Sequence, residues 1–98
     1  MIGILIRAQV KPHQRHELMQ MCETWFASNH LPEACLERQV YQNAITPTDL
    51  LLVEHWSDEA QMNSYLSSDR FRALIGAVKV LGKLVHVSTC EARIVEGG

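Results

Sequence analysis

Little in the 98-residue chain marks a special environment. Glycine and proline together supply only five and three residues, too few for a low-complexity or disordered polypeptide. The three cysteines, Cys22, Cys35 and Cys90, are odd in number, widely spaced and include no C-x-x-C pair. Neither a disulfide framework nor a zinc or dithiol motif is expected, and each reads as a small buried hydrophobe. No apolar run approaches the roughly 20 residues of a membrane-crossing helix. No charged start, apolar stretch and small-residue cleavage site mark a secretory leader. Neither sign of charge dominates: nine Lys and Arg face eleven Asp and Glu, which removes the electrostatic case for nucleic acid. These absences point to one soluble, cytoplasmic domain over residues 1–98, with neither a nucleic acid nor a membrane as partner. A Gly-rich dinucleotide loop is missing too, and His13 with His16 at i, i+3 finds no third ligand, so no metal is expected.

What the chain does have is periodicity. In IGILIRAQV, residues 2–10, Ile2, Ile4, Ile6, Ala8 and Val10 fall on one side and Gly3, Leu5, Arg7 and Gln9 on the other. A strand with Leu5 and Arg7 on its second side is expected to be central, with both faces covered. From Pro12 to about Asn29 the apolar steps Leu18, Met21, Cys22, Trp25, Phe26 predict an amphipathic helix, closed by Asn29, His30 and Pro32. Residues 34–43 alternate, with Ala34, Leu36, Arg38, Val40 and Gln42 on one side. A loop around Thr46-Pro47 leads to a buried strand over 50–56, LLLVEHW. Ser57 or Asp58 caps the next helix, which carries Ala60, Met62, Tyr65 and Leu66. Ser67-Ser68-Asp69 breaks it and caps another, with Phe71, Leu74, Ile75, Val78 and Leu81 at helical spacing. Gly82 stops that helix, and a last strand covers about Leu84–Val95.

The order is β-α-β-β-α-β, an α+β ferredoxin-like arrangement with an antiparallel sheet of strand order 4-1-3-2. Helices cover one face. The other face also carries apolar residues, and 98 residues leave no spare segment to cover it, so a second copy of the chain is the expected cover.

The segment LLLVEHWSDEAQMNSYLSSDRFRALIGAVKVL resembles the antibiotic biosynthesis monooxygenase family. It has a strand ending in E-x-W (Glu54-His55-Trp56), a helix opening on Asp58-Glu59-Ala60, a Leu66-Ser67-Ser68 break and a Phe71-Arg72 pair starting the last helix. ACLERQVYQN and ILIRAQVKP are similar to the family's second strand and its first strand and turn. The resemblance implies a dimeric α/β barrel with an apolar pocket between sheet and helices. It also implies oxidation of anthrone or quinol rings with no cofactor and molecular oxygen as co-substrate. Other members degrade haem or isomerise small metabolites. The haem-ligating histidine place holds Ile75, which argues against haem, and the histidine that many quinol-oxidising members carry is here Arg70.

Seven residues are candidates for the chemistry. Glu54 and Trp56 share a side of their strand with Leu50 and Leu52. Glu54 either moves a proton from a low-dielectric site or pairs with Arg7; Trp56 either stacks on an aromatic ligand or fills the core. His55, on the opposite side, is a candidate base if helices cover that side. Arg72 is a candidate for stabilising an oxyanion. Tyr65, Trp25 and Phe71 join Trp56 as candidate substrate contacts. The leading expectation is therefore a cofactor-independent monooxygenase acting on a small electron-rich aromatic, with His55, Glu54 and Arg72 catalytic. The alternatives are a non-catalytic ligand-binding or structural dimer and an isomerase with a cationic pocket drawn from Arg7, Arg38, Arg70 and Arg72.

Overall fold

Alternation along the first segment sets the whole architecture. In the computed structural model, which describes residues 2–28 and 32–97, strand β1 (Ile2–Val10) turns Ile4, Ile6 and Ala8 fully inward. It lies between β3 (Asp49–Trp56) and β4 (Gly82–Glu91), antiparallel to both. Strand β2 (Cys35–Gln42) pairs with the outer side of β3. The sheet order is β2-β3-β1-β4, the 4-1-3-2 order that the sequence predicts.

The described residues also form three α-helices: α1 (Arg15–Ser28), α2 (Glu59–Leu66) and α3 (Asp69–Leu81). Pro12 opens a 3-10 turn before α1, where its fixed φ costs nothing and no amide is needed. Leu18 and Cys22 from α1, Met62 and Tyr65 from α2, and Phe71, Leu74 and Val78 from α3 are buried against Ile4, Ile6, Leu50, Leu52 and Trp56 of the sheet. Each fully buried aliphatic side chain contributes about 1.5–3 kcal/mol. Asn29 and His30, expected to close α1, lie outside the described residues. Among the described residues no helix is long and apolar enough to cross a membrane.

Side-chain caps fix the break between α2 and α3. Asp58 accepts from the Gln61 amide at 2.8 Å. Ser68 Oγ accepts from the Phe71 amide at 3.2 Å and donates to the Tyr65 carbonyl at 2.6 Å. One hydroxyl thus ends α2 and starts α3. Ser68→Ala is expected to cost about 1–2 kcal/mol, seen as a lower urea midpoint with an unchanged m-value; no shift in the midpoint would show that neither bond contributes.

Two boundaries differ from the sequence expectation for physical reasons. The last strand begins at Gly82, not near Leu84, because α3 passes into β4 with no intervening loop. A Cβ at Gly82 would run into the Gln9 carbonyl oxygen and sit 2.9 Å from Val10 Cα. The strand also ends at Glu91, not near Val95, because Glu91 pairs with Ile2, where β1 begins. In β2, a bulge between Cys35 and Glu37 turns Leu36 outward to 56% exposure and places Cys35 opposite Trp56, so Leu36 does not share the Arg38 side.

The face of the sheet away from the helices is uncovered in this chain. Leu5 and Leu51 are half-buried there, with Arg7 opposite Leu51 and His55 opposite Gly3. Arg7 makes a two-pronged contact with Asp49, Nε to Oδ1 at 3.2 Å and Nη2 to Oδ2 at 2.9 Å, which lowers the Asp49 pKa and raises that of Arg7.

Candidate functional site

A charged group rarely enters a core unless it is paired. Glu54 is 1% exposed, in the middle of the helix-facing side of β3. The β1–β3 register sets it opposite Ile4, whereas Arg7 stands opposite Leu51 on the other face. The Arg7 pairing considered from sequence is therefore corrected: alternation puts the two side chains on opposite sides of the sheet.

The partner is Arg38, directly across from Glu54 on β2. Its Nε lies 3.0 Å from Glu54 Oε2 but is misaligned for a hydrogen bond, so the contact is coulombic. The guanidinium is held by other groups. Nη1 donates to the Trp25 carbonyl at 3.4 Å, and Cζ sits 5.5 Å from the centre of the Phe26 ring, in reach of a cation–π attraction. Sequence reasoning counted Arg38 only among the cations of an isomerase pocket and did not pair it with Glu54. The signal was present: one cation on the apolar side of one strand and one anion on the apolar side of another.

Tyr65 closes the cluster. Its hydroxyl donates to Glu54 Oε2 at 3.2 Å, while Glu54 Oε1 has no hydrogen-bond partner among the described residues. Burial raises the Glu54 pKa, opposed by Arg38 and by the Tyr65 hydrogen bond. Burial and the adjacent carboxylate raise that of Tyr65 strongly, so the phenol stays protonated and carries a proton only by passing another on. The ring packs against Trp56 at 5.0 Å and edge-on against Phe71 at 5.4 Å, within the range of favourable aromatic pairs.

Outside this cluster α2 borders a cleft of about 730 Å³, ample for a small aromatic molecule. Ala60, Gln61, Ser64 and Tyr65 of α2 line it together with Pro32, Ser68 and Arg70. Tyr65, only 4% exposed, thus borders the cleft while its hydroxyl is turned inward to the buried carboxylate.

The remaining candidates are dispersed. Trp56 is fully buried behind Tyr65 and Phe71 packs edge-on against the Tyr65 ring; neither is among the residues that line the cleft. Trp25 is half-buried against the core and meets the cluster through its carbonyl. His55 is corrected as a pocket base: its side chain lies on the uncovered face, with Nδ1 3.2 Å from Glu37 Oε2, because neighbouring strand residues point to opposite faces. Arg72 is on the surface of α3, bound to Asp69 one turn back at 3.3 Å, and does not reach the cleft. Burial pushes the Cys22 thiol up to about 11, as befits an unreactive core residue. Among the described residues no three His, Cys, Asp or Glu side chains are grouped to hold a metal ion.

Comparison with known proteins places these features in context. A family model described as antibiotic biosynthesis monooxygenase matches residues 1–77. No curated protein matches the sequence significantly. Among solved structures, a conserved protein of Methanosarcina mazei Go1 is 23% identical with a TM-score of 0.79, over 94% of this chain and 92% of that one. A Deinococcus radiodurans protein, provisionally described as an antibiotic biosynthesis monooxygenase, is 21% identical with a TM-score of 0.80, over 99% and 97%. A variant of SnoaB, a cofactor-independent oxygenase from Streptomyces nogalater, is 14% identical with a TM-score of 0.72, over 96% and 94%. At such identities the structural likeness speaks for the fold alone.

Proposed function

Because the chain belongs to the antibiotic biosynthesis monooxygenase family, we propose that it is a cofactor-independent monooxygenase of an electron-rich aromatic bound in the cleft beside Tyr65. The observation that carries this reading is the double position of Tyr65, wall of the cleft and donor to the buried Glu54. An anthrone or quinol lying against the ring gives up a proton to the phenol oxygen, and Tyr65 passes its own to Glu54. The raised pKa of Glu54 narrows the gap to a phenolic or benzylic acid, which is what an effective acceptor requires. The resulting anion gives an electron to O₂, and the radical pair combines at a ring carbon. For a methylene centre, one oxygen atom ends as the ketone and the other leaves as water with both methylene hydrogens, so the four-electron oxidation matches the reduction of O₂. The chain supplies an apolar surface, orientation and one proton acceptor.

The same reading includes a homodimer. The uncovered face, with Leu5, Leu51 and Val53 at its centre and Tyr41 53% exposed beside them, is the surface a second copy would cover. Sedimentation is expected to give a particle of twice the 11.1 kDa chain mass. A Leu51→Glu substitution, which sets a charge in that patch, is expected to shift it to the monomer. A wild-type monomer at micromolar concentration would remove the dimer from the proposal.

The activity is tested by oxygen uptake of the metal-free protein with a panel of anthrones and hydroquinones. Uptake well above the buffer rate that depends on Tyr65 supports the reading. Ligand binding by the folded protein without uptake of oxygen would make the cleft a binding site and the proposal of catalysis wrong.

A further inference from the structure

We propose that Cys90 is a nucleophile for α,β-unsaturated carbonyl compounds, with His55 taking its proton and Glu37 orienting His55. This second site lies on the face of the sheet away from the helices and is independent of the cleft.

The strand register sets four residues in one row: Glu37 on β2, His55 on β3, Gly3 on β1 and Cys90 on β4. Cross-strand partners share a face, so the three side chains emerge together. The imidazole is fixed from its outer side. Its Nδ1 lies 3.2 Å from Glu37 Oε2. The other carboxylate oxygen, Glu37 Oε1, accepts from Gln39 Nε2 at 2.7 Å. The ring edge that carries Cδ2 is turned toward Gly3, and Nε2, bonded to Cδ2, is the nitrogen that Glu37 leaves free. A Cβ on Gly3 would stand 3.6 Å from His55 Cδ2 and 3.3 Å from Cys90 Sγ. The thiol and the imidazole therefore reach over the glycine from its two sides, with no side chain of β1 between them.

The row is open. Cys90 is a free, half-buried thiol, and the His55 side chain is 32% exposed. The row crosses one end of the sheet: Gly3 is the second residue of β1, and His55 and Cys90 are each next to last in β3 and β4. The adjacent row on this face, Gln39, Val53, Leu5 and Ser88, carries no ionisable side chain. Arg7 and His86 stand one row further, where Asp49 engages Arg7.

Nucleophile, base and orienting carboxylate in that order favour attack by sulfur, because the thiolate is the reactive form. The thiol proton passes to His55 Nε2, and sulfur bonds to the alkene carbon remote from the carbonyl. The displaced π pair forms an enolate, to which the imidazolium returns the same proton. All atoms of thiol and acceptor end in the adduct, with no leaving group and no external oxidant. The histidine is thus used twice, which suits a conjugate acceptor.

The test measures the rate of acrylamide addition to Cys90 by peptide mass spectrometry in the wild type, His55→Gln, Glu37→Gln and Gly3→Ala. An unassisted thiol is only a few per cent ionised at neutral pH, which limits the gain from a base to about 30-fold. At neutral pH His55→Gln is expected to slow the addition about tenfold, and Glu37→Gln less. Gly3→Ala, which sets a methyl group between thiol and imidazole, should match His55→Gln; the other two variants leave this close-packed position intact. At about pH 9.5, where thiols ionise unaided, the wild type and His55→Gln should react alike. No addition to Cys90 in the folded wild type, or equal rates in the wild type and His55→Gln at neutral pH, would overturn the inference. So would a gap that persists at the higher pH, since His55 would then govern access and not the proton.

Discussion

Tyr65→Phe is expected to lower oxygen uptake about 100-fold or more, the scale of a lost proton-transfer group, while leaving a folded protein. Phenylalanine keeps the ring contacts with Trp56 and Phe71 and removes only the hydroxyl that reaches Glu54. Losing one hydrogen bond to a charged group costs about 1.5–3 kcal/mol. At about 4–8 °C per kcal/mol for a domain of this size, the melting temperature falls by about 6–24 °C. Ligand binding should change far less than turnover, because the wall of the cleft is still present. This split between binding and rate separates a proton relay from a wall. Unchanged uptake in the variant would mean that the substrate loses its proton to water and that Tyr65 serves only as a surface.

The largest effect on stability is expected at Arg38. Arg38→Met leaves the Glu54 carboxylate buried without a cation, a loss of about 3–5 kcal/mol, which is a large part of the roughly 5–15 kcal/mol that holds a domain together. The Arg38→Met/Glu54→Gln double variant removes the charge as well and should recover at least half of that loss, which a double-mutant cycle measures. The pH dependence follows from the sign of the shift. Burial already raises the Glu54 pKa above its ordinary 4.5, and Arg38 opposes the rise; without Arg38 it rises further. A carboxyl with a raised pKa binds more protons folded than unfolded. Its contribution is fully present below the unfolded value and is lost as the pH rises through the folded one. The deficit of Arg38→Met should thus be smallest near pH 4 and grow toward neutrality, while the double variant lacks that trend. A deficit that does not change with pH would show that Arg38 acts through its contacts with Trp25 and Phe26 and not through Glu54.

Most of the fold could be read from local pattern. The alternation of Ile4, Ile6, Ala8 and Val10, the helical spacing of Phe71, Leu74 and Val78, and the Ser68 break each depend on neighbours within one turn or one strand. The site was less legible because its pairings are long-range. That Glu54 and His55 point to opposite sides follows from the strand, but which side the helices cover does not. Glu54 meets Arg38 through the β2–β3 register, which a bulge at Cys35–Glu37 adjusts and which no local pattern displays. Trp56 looked like a ligand contact because it is large and aromatic; only the packing of α2 puts Tyr65 in front of it. The cleft itself joins Pro32 to α2, segments far apart in the chain. Tyr65, Glu54, Trp56 and Phe71 are gathered in one cluster, whereas His55 and Arg72 belong to other surfaces.

The direct passage from α3 into β4 at Gly82 bears on how the molecule breathes. With no loop to absorb displacement, α3 and β4 form a single lever, and the ladder between β4 and β1 anchors it to the middle of the sheet. Outward movement of α3 would have to shear that ladder. The α2 helix has only eight residues and is continuous with no strand; its hold on the frame is the burial of Met62 and Tyr65 in the core. The two helices are therefore held by unequal means: α3 by its continuity with the sheet, and α2 by the two side chains it sinks into the core.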